Sequence, residues 1–79
     1  MPHIIIKMYP GRTVEQKNRL AAAITNCVTS IAQCGQETVS VAVEEIVAED
    51  WAEQVYRPDI IEKEATLVKK PGYKLSDCK

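Results

Sequence analysis

No two cysteines of this chain stand in a CxxC, and the three present, Cys27, Cys34 and Cys78, are an odd number. Such a set does not read as a disulfide framework. There is one histidine, His3, and it completes no zinc set with those cysteines at a familiar spacing. Long apolar runs are missing too. Ile4, Ile5 and Ile6 fall far short of a membrane span or of the apolar part of a signal peptide, and no small-residue cleavage site follows them. The expectation is a reduced, cytoplasmic protein with no membrane partner. Positive charge is not in excess either: ten Lys and Arg against eleven Asp and Glu leave a net charge of −1. A nucleic-acid partner calls for a basic face with interleaved aromatics, so none is expected. Internal repeats and low-complexity segments are absent.

What is there is one small domain, residues 1–79. A monomer of that size buries little more than ~60% of its unfolded surface and needs a staple. With disulfides and metals unsupported, the expected staple is a second subunit. Cys27 and Cys34, seven residues apart, read as small apolar fillers on one side of a helix.

Residues 3–9 read as a strand, with Ile4, Ile6 and Met8 on one face and His3, Ile5 and Lys7 on the other. Pro10 and Gly11 stop it. Thr13 with Gln16 has the form of a capping box, so a helix starts there. Its apolar stripe is Val14, Leu20, Ile24, Cys27, Val28 and Ile31, and Gly35 is its expected stop. Residues 38–46 read as a second strand, Val39, Val41 and Val43 opposing Ser40, Ala42 and Glu44. Strand, helix and strand make a β-α-β unit, which implies parallel strands and a right-handed connection. Asp50 and Glu53 suggest a short helical turn at Trp51. Pro58 fits the first turn of a final helix whose apolar side is Ile60, Ile61, Ala65, Leu67 and Val68, ended by Pro71 and Gly72. Residues 73–79 read as an arm that orders on contact. Two strands are too few for an independent sheet, so a neighbouring subunit is expected to complete it.

Pro2 is the odd residue. Proline has no N–H and tolerates only the first or an edge position of a strand, so Pro2 on its own reads as a strand start. A small second residue also permits removal of Met1, which leaves the Pro2 nitrogen as a secondary amine.

The order of Pro2, a strand, Pro10-Gly11-Arg12, the stretch from Thr13 to Lys17, a second strand and Trp51 resembles the 4-oxalocrotonate tautomerase family. The part after residue 60, with Pro71-Gly72-Tyr73, resembles its dimeric branch. The resemblance implies a tautomerase-like α/β fold and a homodimer. It further implies a cofactor-independent enzyme, without metal, that interconverts enol and keto forms using an N-terminal Pro2 as general base and then acid. Arg12 matches an arginine that holds a substrate carboxylate, and Trp51 an aromatic wall. Both have structural alternatives: Arg12 as a solvated residue before the helix cap, Trp51 as a core anchor. Ser40 stands where 4-oxalocrotonate tautomerase itself has a second arginine. One cationic handle is left, which points to a 2-keto monoacid such as a phenylenolpyruvate-like enol. Ser40 either gives the substrate a neutral hydrogen bond or is part of the sheet, and His3 either tunes the amine or lies at a surface. Glu53 supports an alternative, a hydratase or dehalogenase of an unsaturated acid in which it activates water. Its ordinary role is to cap a helix. A further alternative is a dimer that binds without catalysis.

Overall fold

Alternating isoleucines set the first strand. β1 spans His3–Met8; Ile4, Ile6 and Met8 are half-buried, while His3 and Ile5 are exposed. Tyr9 has already left the strand, and Gly11 makes the turn at φ +125°, where any side chain would be strained. α1 spans Val14–Ala32. The capping box forms as expected: Gln16 N–H donates to Thr13 Oγ1 at 3.0 Å, and Thr13 N–H donates to Gln16 Oε1 at 2.8 Å.

The half-buried face of α1 is narrower than the sequence suggests. Leu20, Ile24 and Val28 lie on it with Ala21, Thr25 and Thr29, but Val14, Cys27 and Ile31 are exposed. Length explains the ends. The 19 residues of α1 run about 28 Å at ~1.5 Å each, whereas the six of β1 cover about 20 Å. Val14, 69% exposed, and Ile31, 82% exposed, therefore overhang. Cys27 sits on the flank of the stripe.

α1 also stops early. Gln33 adopts the left-handed conformation (φ 56°, ψ 59°), and its N–H and that of Cys34 both return to the Thr29 carbonyl. Gly35 is extended instead. Cys34 thus lies beyond the helix, and the expected pair of cysteine fillers on one helical side does not form.

A single 3₁₀ turn, Gln36–Thr38, leads into β2, Ser40–Glu45. The strands pair, and Ser40 N–H donates to the Pro2 carbonyl at 3.2 Å. The two strand starts therefore lie side by side and the pair is parallel. A parallel pair needs a long crossover, here supplied by α1, which makes the β-α-β unit.

The computed structural model describes residues 1–78, which divide into two units, Met1–Glu44 and a second beginning at Glu45. In the second, a 3₁₀ turn at Ala48–Asp50 precedes a ten-residue π-helix, Ala52–Ile61. This corrects the expected final helix. Pro58 lies inside the helix rather than opening one, and the helix ends at Ile61. The wide i→i+5 winding, seen in Glu62 N–H donating to the Arg57 carbonyl at 3.0 Å, shifts the carbonyl four residues back from the proline ring. Beyond it a 3₁₀ turn, Glu64–Thr66, follows, and Val68 is fully exposed. Tyr56, Ile60, Leu67 and Pro71 line a cavity of about 140 Å³. The arm is ordered within the chain: Tyr73 is bonded to Trp51, and Leu75–Asp77 forms a 3₁₀ turn. Lys79, the end of that arm, lies outside the described residues. Among the described residues only Ile46 and Val55 are buried hydrophobics.

Candidate functional site at the head of the strand pair

The β-α-β unit brings three of the candidate residues together. Pro2 is half-buried at the head of β1, and its carbonyl is pinned by the Ser40 N–H. The Ser40 hydroxyl lies 2.6 Å from His3 Nδ1. Ser40 is thus in contact with both neighbours across the strand pair, one through its backbone and one through its side chain. Parallel register is the cause, since each strand contributes its first residue.

Arg12 follows the Gly11 turn and is exposed. Its guanidinium makes one long contact, 3.5 Å, with the Tyr9 carbonyl. At that length the bond is weak, and an oxyanion would be a far stronger partner for the guanidinium.

Trp51 and Glu53 belong to the second unit. Trp51 is half-buried and donates Nε1–H to the Tyr73 hydroxyl at 2.9 Å. Tyr56 adds a bond from its own hydroxyl to the Tyr73 carbonyl at 3.3 Å, and the two tyrosine rings lie 5.4 Å apart at a tilt of 56°. Trp51 therefore offers its ring surface, with its one polar atom already engaged. Tyr73 and Tyr56 were not among the residues singled out as a site from sequence. The signal was an aromatic directly after Pro71 and Gly72, where the chain turns back. Glu53, in the first turn of the π-helix, pairs with Arg57 at 2.8 Å in an exposed i, i+4 bridge. Among the described residues, no three His, Cys, Asp or Glu side chains are grouped to hold a metal ion, and no helix is long and apolar enough to cross a membrane.

A parallel strand pair joined by one helix, with proline heading the first strand, defines a small class of α/β proteins. The model of the tautomerase enzyme family matches residues 2–58, and the chain belongs to that family. A probable tautomerase of Xylella fastidiosa is 41% identical over 73 residues, covering 92% of this chain and 89% of the relative. A tautomerase PptA of an Enterobacter strain is 40% identical over 76 residues, covering 95% of this chain and all of the relative, 100%. Among solved structures, a 4-oxalocrotonate tautomerase isozyme from Methylibium petroleiphilum is similar with a TM-score of 0.62 and 29% identity. That likeness covers 84% of this chain and 100% of the other. The family and the names of its members make this chain a tautomerase-type isomerase.

Proposed function

We propose that the chain, once Met1 is removed, interconverts the enol and keto forms of a small 2-keto monoacid with an apolar or aromatic tail, using Pro2 as base and then acid. The supporting observation is the place of Pro2. It opens the family match, and the Ser40 N–H holds its carbonyl at the head of the strand pair. With Met1 attached, the Pro2 nitrogen is a tertiary amide whose lone pair is delocalised, and it cannot act as a base. Freed, it is a secondary amine. It takes the enol hydroxyl proton, the O–H electron pair becomes part of the new carbonyl, and the C=C pair takes the proton back at carbon. Substrate and product are isomers, and the nitrogen ends as it began.

Such a base works best near the operating pH. An ordinary α-amino group titrates at about 7.7–8.0, and a proline amine is intrinsically more basic. A neighbouring cation and apolar walls both disfavour the ammonium. Arg12 is the proposed cation, and it exchanges its long Tyr9 contact for a forked pair with the substrate carboxylate. With Ser40 uncharged, a second carboxylate would find no cationic partner there, which favours a monoacid. Trp51 is the proposed apolar wall for the substrate tail.

The working unit is a homodimer in this reading. Ile5, 51% exposed, and Tyr9, 42% exposed, join Val14 and Ile31 as apolar side chains of the first unit facing solvent, and a lone strand pair is not an independent sheet. Glu53 is engaged by Arg57, which favours isomerisation over water activation by that carboxylate.

The test compares homogeneous Met1-bearing and processed protein, each confirmed by intact mass. Processed protein should turn over keto-acid enols with one ionisation at or below about 7.7, and the Met1-bearing form should fold but be inactive. Equal rates would mean that the base is a side chain and not Pro2.

A further inference from the structure

His3 and Ser40, 37 positions apart in the chain, join side chains beside Pro2. At 2.6 Å the two atoms are within hydrogen-bond distance, and which of them donates depends on the imidazole tautomer. Both residues are exposed, so water competes for each group and the pairing must offset lost rotamer freedom. The backbone helps. Ser40 N–H is tied to the Pro2 carbonyl, and that bond fixes the stem from which the hydroxyl projects.

A serine oxygen has one proton and two lone pairs, and an imidazole nitrogen either accepts or donates. If Nδ1 is bare, it takes the Ser40 proton, and Ser40 presents lone pairs alone to a third group. If Nδ1 carries hydrogen, it donates into one lone pair and leaves the hydroxyl proton for another partner. We propose that the second arrangement operates: His3, donating from Nδ1, orients the Ser40 hydroxyl as a hydrogen-bond donor to the substrate oxygen that alternates between enol and carbonyl. The proposal rests on the tautomerase reading above and names the group that meets the reacting oxygen.

The chemistry of the step supports this direction of donation. When Pro2 takes the hydroxyl proton, negative charge collects on that oxygen before the carbon is protonated. A donor already aimed at the oxygen stabilises it without reorganising. Ser40 gives only a hydrogen bond and keeps its proton, so the step adds no reactant and leaves the proton balance at Pro2 unchanged. A neutral donor also brings no positive charge to offset the burial of a second carboxylate, as a cationic side chain at this position would. In this scheme Ser40 touches substrate, while His3 acts through it as a positioning residue.

The experiment uses processed full-length protein and a phenylenolpyruvate-like enol. Ser40→Ala removes the donor but keeps the backbone N–H, and circular dichroism checks that it folds. It should lower kcat by about ten- to a hundredfold with KM changed by less than about threefold, somewhat below what a fully sheltered oxyanion donor supplies. His3→Gln moves the polar atoms to the far ring position and should lose kcat similarly. His3→Asn keeps an amide nitrogen at the Nδ1 position and should stay within about threefold of the parent. Ser40→Ala combined with His3→Gln should be no worse than Ser40→Ala alone, because the two residues act as one unit. As His3 is the only histidine, its ring-nitrogen signals can be read without assignment, and Nδ1 should carry the proton. Full kcat in Ser40→Ala, additive losses in the double variant, a bare Nδ1, or His3→Asn as impaired as His3→Gln would each overturn the proposal. If the parent itself turns over no keto-acid enol, the tautomerase reading fails first. If the parent is active and Ser40→Ala is equally active, this inference alone fails.

Discussion

Replacing Tyr73 with phenylalanine isolates one hydrogen bond. Tyr73→Phe deletes the acceptor of Trp51 Nε1–H, a 2.9 Å bond. It leaves the tilted contact with the Tyr56 ring at 5.4 Å and the carbonyl that receives the Tyr56 hydroxyl. A neutral hydrogen bond contributes about 0.5–1.5 kcal/mol net. Tyr73 is 37% exposed, so water can replace much of the lost bond, and the lower half of that range applies, about 0.5–1 kcal/mol. For a chain of this size each kcal/mol shifts Tm by about 4–8 °C, which predicts a fall of about 2–8 °C. Trp51 is the only tryptophan, so its fluorescence serves as both reporter and assay. Emission should move to the red as Nε1 turns to water, and the melt should be followed at fixed protein concentration, since assembly makes Tm concentration-dependent. Tyr73→Ala should cost more, because the ring contact with Tyr56 goes too. If Tyr73→Phe melts within about 1 °C of the parent with unchanged emission, the bond does not hold the arm on Trp51 and the aromatic cluster is not a clasp.

Arg12→Ala should slow turnover of a keto-acid enol by about ten- to a thousandfold, the range for losing a charge-assisted pair. A neutral enol of similar shape should be little affected, and equal loss on both would make Arg12 structural. Thr13→Ala removes the hydroxyl that accepts the Gln16 N–H, leaves the bond from the residue's own N–H to Gln16 Oε1, and should destabilise the chain by about 1 kcal/mol, read as a lower denaturation midpoint with an unchanged slope. No change would mean that solvent already satisfies the Gln16 amide. Sedimentation at micromolar concentration should find a homodimer; a stable monomer would refute the shared sheet, and a hexamer would refute the dimeric branch.

The residues that sequence alone determined are those whose physics is local. The capping box at Thr13 and Gln16 needs only a hydroxyl and an amide three positions apart, and both bonds are present. The period of two along Ile4, Ile6 and Met8 and the turn at Gly11 are equally short-range, and together with a crossover long enough for parallel strands they made the β-α-β unit legible. The order of Pro2, Arg12 and Trp51 carried the family. Tertiary structure decided the rest. The stripe on α1 was trimmed because the helix outruns the strands, a matter of relative lengths that no periodicity contains. The helix after Trp51 runs through Pro58 because a wide winding tolerates the ring, against the local preference that makes proline a helix start. Tyr73 ceases to be a loose arm only when Trp51 gives it a partner 22 residues back. His3 and Ser40 could each be marked as a candidate, but their pairing follows from strand register, which is set by how α1 returns the chain alongside Pro2.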